Sequence, residues 1–148
     1  MRIHLIAIGR YKSGSLVDLV KLYQKRLKWK FELTEIQLHK NASSEDECEA
    51  ILKKVPDNCK IIALDERGKT ISSDEFAHII ESWQVQSHHN VTFIIGGADG
   101  LNDKIRKKAD FLLSFGKQTW PHQLVRVMLI EQVYRVQQIL SGHPYHRS

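Results

Sequence analysis

Three short stretches of this sequence hold residue types that could do chemistry together. The last six residues, "HPYHRS" (143–148), set His143, Tyr145, His146 and Arg147 side by side. Two imidazoles that exchange protons near neutral pH, a phenol and a fixed cation could take a proton, stabilise an anion or stack on a base. The other two stretches are glycine-bearing bends. "IIGGADG" (94–100) leaves an apolar run, and "SFGKQTWPHQ" (114–123) joins a second apolar run to a long helical pattern, with Gly116 to bend and Pro121 to stiffen it. Glycines let a ligand approach backbone amides, and two such bends on consecutive strand ends point to a binding site. The Gly-Gly-x-x-Gly spacing of the first is not the Gly-x-Gly-x-x-Gly of dinucleotide sites, which argues against that cofactor class. The alternatives are that each bend is a plain turn, and that Pro144 and Tyr145 just pin the chain end against the core.

The remaining histidines carry less. His88 and His89 lie in a polar loop, His4 in a strand and His39 at a strand end, where solvation or packing accounts for them. His143 and His146 lack a neighbouring cysteine or carboxylate in sequence, and Cys48 and Cys59 show no ligand spacing, so no metal is expected.

The elements that must position these stretches alternate between strand and helix. "RIHLIAIG", "FELTEIQL", "KIIALD", "VTFII" and "DFLLSF" read as strands. Between them, Leu16, Val20, Tyr23 and Leu27 recur at helical spacing behind possible caps Ser13 and Ser15. Ser44 with Glu47, and Ser72 with Glu75, are spaced as capping boxes. A short basic helix covers "NDKIRKKA", and a last helix starts near Pro121 and runs to about Leu140. This order implies an α/β fold with a mostly parallel sheet and helices on both faces. The last helix has apolar residues at 124, 125, 127–130, 133, 134, 136, 139 and 140, too wide a band for one sheet face. A homodimer contact or a fully sunken helix would each bury it.

Composition bounds the partners. The 148 residues are 42% hydrophobic, enough for one domain with a real core. Lys and Arg exceed Asp and Glu by 22 to 17, giving +5, which suits a polyanion without requiring one. Lys21, Lys25 and Lys28, and Lys104, Arg106, Lys107 and Lys108, form basic groups that are solvated faces or a phosphate track. No stretch approaches membrane length, the amino-terminal apolar run is too short for a signal sequence, and the cysteines suit a reducing compartment. A cytoplasmic protein is expected.

At "IIGGADGL", "TWPHQLVRVMLIEQVYR" and the tail "HPYHR", the sequence resembles the RlmH family, small bacterial SPOUT-class methyltransferases acting on a pseudouridine of large-subunit ribosomal RNA. The likeness runs from the opening "IHLIAIGR" through "LDERGK" to the last residues. The resemblance implies a SPOUT-type α/β fold with a C-terminal trefoil knot, S-adenosyl-L-methionine as cofactor, a homodimer, and methylation at N3 of a pseudouridine within the ribosome. Carried over by motif, the cofactor pocket would use Leu64, Gly96, Gly116, Lys117, Gln118, Thr119, Trp120 and Pro121, where Trp120 is larger than the residue the family often has. The partner's tail would close the site: His143 or His146 to take the proton, Arg147 to stabilise the imidate or grip a phosphate, and Tyr145 to stack. His122 and Arg126 would orient the base or contact RNA. A non-catalytic ribosome-binding protein on this fold, or a small-molecule α/β enzyme, are the alternatives.

Overall fold

Residues 1–11 and 14–147 are described by a computed structural model of the chain. Ten elements follow in order: β1 (Arg2–Ile8), α1 (Ser15–Arg26), β2 (Lys30–Ile36), α2 (Ser44–Lys54), β3 (Lys60–Lys69), α3 (Ser73–Val85), β4 (Asn90–Ile95), α4 (Asp103–Lys108), β5 (Phe111–Leu113) and α5 (His122–Leu140). The strands form one sheet in the order β2-β1-β4-β3-β5, and every pairing is parallel. Parallel neighbours need crossovers, and the helices supply them on both faces.

The period of two in the strands divides the core. Ile3, Leu5 and Ala7 of β1 and Val91, Phe93 and Ile95 of β4 join one cluster with Val20 of α1, Phe76 of α3 and Val133 of α5. Ile6 and Ile94 point the other way, towards Cys48 and Ile51 of α2 and Ile105 of α4. Doubly covered strands read as continuous apolar runs for this reason.

The local signals differ in small ways from the sequence reading. The capping box of α2 is Ser43 with Asp46, one residue before the expected pair. Ser43 has the extended backbone (φ −79°, ψ 167°) an N-cap needs, and its Oγ accepts from the Asp46 amide at 3.1 Å while Asp46 accepts from its amide at 2.9 Å. Ser72 and Glu75 cap α3 as expected. Ser13 lies outside the described residues, and Ser15 is the first helical residue of α1, which has no side-chain cap. Lys28 lies beyond the end of α1, so it shares no helix face with Lys21 and Lys25. Strand β3 runs on to Lys69, past the expected "KIIALD", because Gly68 lets it hug β5: a Cβ there would stand 2.5 Å from the Leu112 carbonyl oxygen.

Helix α5 packs against both α1 and α3 over the sheet, and none of its residues is exposed. Its broad apolar band is therefore largely buried within one chain. A Schellman turn ends it: the His143 amide donates to Gln138 O at 2.9 Å and the Gly142 amide to Ile139 O at 3.1 Å, with Gly142 at φ 74°. The chain reverses there, and Tyr145 meets Glu131, 14 residues upstream.

Candidate active site

The carboxyl ends of β3, β4 and β5 open into a cleft of ≈620 Å³, within the range of small-ligand sites. Of the residues expected to bind a cofactor, Leu64, Gly96, Gly116, Gln118, Thr119, Trp120 and Pro121 all line it. Lys117 is the exception: it is exposed and not among the lining residues. His122, at the start of α5, lines the cleft too.

Each wall has a local cause. After Leu64 the β3–β5 pairing slips, with Leu113 opposite both Leu64 and Lys69, and this bulge turns Asp65, Glu66 and Arg67 to the cleft. The Asp65 carboxylate fixes the bulge, accepting from the Arg67 amide at 2.8 Å and from Arg106 Nε at 2.7 Å. Arg106 also donates to Asp103 at 2.8 Å, and these bonds, Asp65 first, raise the guanidinium pKa. Sequence reasoning missed Asp65 as a site residue and read Arg106 only as part of a basic cluster; an acid directly after a buried strand run was the available signal.

The first glycine bend closes by a bridge between Gly97 and Gly100, whose amide donates back to Gly97 O at 3.0 Å. Gly96 is packed so closely that a Cβ would stand 2.8 Å from Leu101 Cδ2. In the second bend Gly116 sits at φ 110°, held by Ser114, whose Oγ donates to Gly116 O at 3.0 Å and accepts from its amide at 3.1 Å. Trp120 is 38% exposed, its indole N–H donating to Phe115 O at 3.3 Å.

This lining fits S-adenosylmethionine. Leu64, Ile95, Leu101, Leu113 and Val125 give apolar walls for an adenine, and the glycine bends bring backbone amides and carbonyls within reach of polar edges. Glu66 and Asp99, beside an Asp65 already paired with Arg106, leave the lining's carboxylates one ahead of its two guanidiniums, Arg67 and Arg106, a balance that suits a ligand carrying a sulfonium and an ammonium group.

Arg126 corrects an expectation. It was placed among the RNA contacts, but it is 1% exposed and its guanidinium is spent inside the protein, donating to Glu35 at 2.6 Å, Ile8 O at 3.1 Å and Gly9 O at 2.6 Å. It also covers the Tyr11 ring at 4.4 Å. A cation so enclosed has no face for a phosphate. His122, half-buried at the cleft, remains placed for the role given to it.

The tail lies away from the cleft of its own chain. Tyr145 donates to Glu131 Oε1 at 3.1 Å, beneath Arg135, and edges onto Tyr134 at 4.8 Å. Burial and Glu131 push its pKa up to about 12. His146 meets Arg135 Nη1 through Nδ1 at 3.1 Å and Asp74 through Nε2 at 3.4 Å. His143 and Arg147 are exposed, and His143 Nδ1 accepts from the Tyr145 amide at 3.2 Å. Glu131 borders a second hollow of ≈570 Å³ between α1, α3 and α5, which shares Leu113, Ser114 and Phe115 with the cleft. Leu19 of that hollow and Leu22 beside it on α1 are 40% and 41% exposed. Among the described residues no group of three or more His, Cys, Asp or Glu is placed to hold a metal ion, and no helix is long and apolar enough to cross a membrane.

A parallel, doubly wound sheet with a ligand cleft over its strand ends defines the class as a ligand-binding α/β protein. A family model described as "Predicted SPOUT methyltransferase" matches residues 1–146, so the chain belongs to the SPOUT methyltransferases. It is a methyltransferase, and the methyl donor of its class is S-adenosylmethionine. "Ribosomal RNA large subunit methyltransferase H" of Rhodospirillum centenum is 46% identical over 152 residues, covering 100% of both chains. The protein of that name from Paramagnetospirillum magneticum is 43% identical, with 99% of each covered. Among solved structures, a probable methylase family protein of Haemophilus influenzae superposes with a TM-score of 0.56 at 12% identity, over 99% of this chain and 70% of that one. The SpoU methyltransferase AviRb of Streptomyces viridochromogenes, in complex with AdoMet, gives 0.50 at 12% identity, over 93% of this chain and 58% of its own. Both share the fold.

Proposed function

We propose that this protein transfers the methyl group of S-adenosylmethionine to N3 of a pseudouridine in large-subunit ribosomal RNA, working as a cytoplasmic homodimer. The observation that carries the reading is the cleft itself, where the glycine bends that follow two consecutive strands meet beside β3. The near relatives' printed names support the ribosomal substrate class, and the family resemblance carried by the two bends and the tail suggests pseudouridine N3 as the acceptor.

Bound in the cleft, the cofactor supplies an electrophilic methyl group. The chain's residues have the remaining tasks. Gly96 and the 116–121 loop hold the donor, threaded as the trefoil knot of the family, and apolar walls exclude water. Because the tail sits away from its own cleft, a second copy brings it to the site. The hollow beside Leu19 and Met128 shares a wall with the cleft, so a partner seated there lies next to the bound donor. The acceptor is an imide nitrogen that becomes nucleophilic as its proton passes to hydroxide from solvent, and Arg147 and the His143 imidazole would stabilise the ring anion. His122 borders the same space and orients the base.

Incubation of the protein with labelled S-adenosylmethionine and ribosomes lacking the modification, followed by mass spectrometric mapping, should place one methyl group on that pseudouridine. A chain ending at Gly142 should bind the donor and fail to transfer it. Salt-sensitive ribosome binding without affinity for the donor would favour a ribosome-binding protein instead.

A further inference from the structure

The tail is not loosely attached to α5; it is bonded to it at several points, and those bonds sort its residues into two kinds. Glu131 is the centre. Its Oε1 accepts from Tyr145 Oη at 3.1 Å and from Arg135 Nη2 at 2.6 Å, while its Oε2 accepts from Gln132 Nε2 at 2.9 Å. Gln132 in turn accepts from Ser73 Oγ at 2.7 Å, which joins the network to the start of α3. Arg135 lies over the Tyr145 ring at 4.9 Å and donates to His146 Nδ1 at 3.1 Å, and Asp74 takes the other imidazole nitrogen at 3.4 Å. A lone Glu–Arg pair one helical turn apart adds only a few tenths of a kcal/mol to a helix. Here both side chains are half-buried and each has a partner in the tail, so the pair organises a segment held besides by its Schellman turn, the Tyr134 ring and Asp74.

We propose that Glu131 and Arg135 are positioning residues, a clamp that fixes the carboxy-terminal tail through Tyr145 and His146 so that His143 and Arg147 are the two groups presented to the nucleic acid. The clamp rests on the tail's role in the proposed transfer. Tyr145 and His146 are half-buried with their polar atoms engaged, whereas His143 and Arg147 are exposed. Fixing the tail beforehand removes an ordering cost from substrate binding, the ordinary gain of preorganisation.

The test uses full-length Glu131→Gln and Tyr145→Phe, the second removing a single hydroxyl, beside a chain ending at Gly142. Expected for both point variants are faster carboxypeptidase trimming beyond Gly142, an unchanged Kd for S-adenosylmethionine, and a kcat on undermethylated ribosomes down by about tenfold, as for loss of one hydrogen bond to a charged group. A melting midpoint within a few degrees of the parent separates positioning from general loss of fold. Trimming at the parental rate, or faster trimming with undiminished kcat, overturns the clamp. If the chain ending at Gly142 transfers methyl at full rate, the role given to the tail fails instead, a result distinct from the other two.

Discussion

Glu35 and Arg126, 91 residues apart in sequence, are bonded at 2.6 Å, and the guanidinium end of the pair is 1% exposed. Through Arg126 the carboxyl end of β1 is tied to the first turns of α5, the helix that begins at the cleft. Tyr11 completes the tie: its amide donates to Glu35 at 2.6 Å and its hydroxyl to Gln123 O at 2.9 Å.

Breaking the tie at either end should therefore be costly. Arg126→Met takes the donor from the Ile8 and Gly9 carbonyls and leaves Glu35, which is 27% exposed, with the Tyr11 amide, at a cost of about 1–3 kcal/mol for the unpaired carbonyls. Glu35→Gln should cost more, about 3–5 kcal/mol, because it leaves a guanidinium that is 1% exposed without its carboxylate. Urea denaturation at neutral pH orders the two. Equal losses would mean that the guanidinium without its carboxylate costs no more than the unpaired carbonyls.

Gly96 should be intolerant for a different reason. Its φ is unremarkable, but an added Cβ meets Leu101 Cδ2 at 2.8 Å and the Gly100 carbonyl carbon at 3.1 Å. Gly96→Ala must push the glycine bend out of place at about 1–3 kcal/mol, the usual cost of overpacking. Calorimetry with S-adenosylmethionine should show affinity down by about tenfold or more, and far less change for Lys117→Ala, whose side chain is exposed. Equal effects of the two would place the donor elsewhere.

Much of this architecture was legible from local pattern. Apolar runs bounded by Gly and Pro gave five strands, and the Ser72–Glu75 box located α3, because these signals act within a few residues of chain. The two glycine bends were found for the same reason. What stayed hidden depends on contacts across the sequence. The Arg126–Glu35 bond, the Asp65–Arg106 clip and the turning of the tail onto Glu131 join residues 91, 41 and 14 apart. An arginine in a helix beginning at a glycine bend looks like a phosphate contact until its partners are visible. The bulge in β3 was hidden because Gly68 acts through Leu112 of another strand.

High pH gives a stability prediction with a definite sign. Burial first, and Glu131 second, raise Tyr145 to about 12; Tyr11 also reaches about 12, with burial dominant. The ordinary value is about 10, so the unfolded chain loses these protons first. Their contribution is complete below pH 10 and disappears as pH climbs towards 12. Midpoints of urea unfolding should be level from pH 8 to about 9.5 and fall beyond. Tyr11→Phe should flatten part of that fall; an identical slope in the variant would assign the loss to other groups.

The pH dependence of methyl transfer follows from how the tail imidazoles are used. His143 Nδ1 accepts from the Tyr145 amide, which puts the proton of its neutral form on Nε2. His146 accepts from Arg135 at Nδ1 and turns Nε2 to Asp74. Tyr145, raised to about 12, stays a neutral phenol. In this arrangement neither imidazole has an open lone pair, and the tail presents donors and a cation: groups that favour the ring anion without receiving its proton. Transfer should then track hydroxide, with kcat/KM on ribosomes rising steadily from pH 6 to 8.5. A base on the protein would instead make the profile level off within this range. His143→Gln keeps an N–H donor and removes the imidazole, so it should retain most activity and the same slope. A plateau in the parent protein that disappears in this variant would show that His143 takes the proton after all.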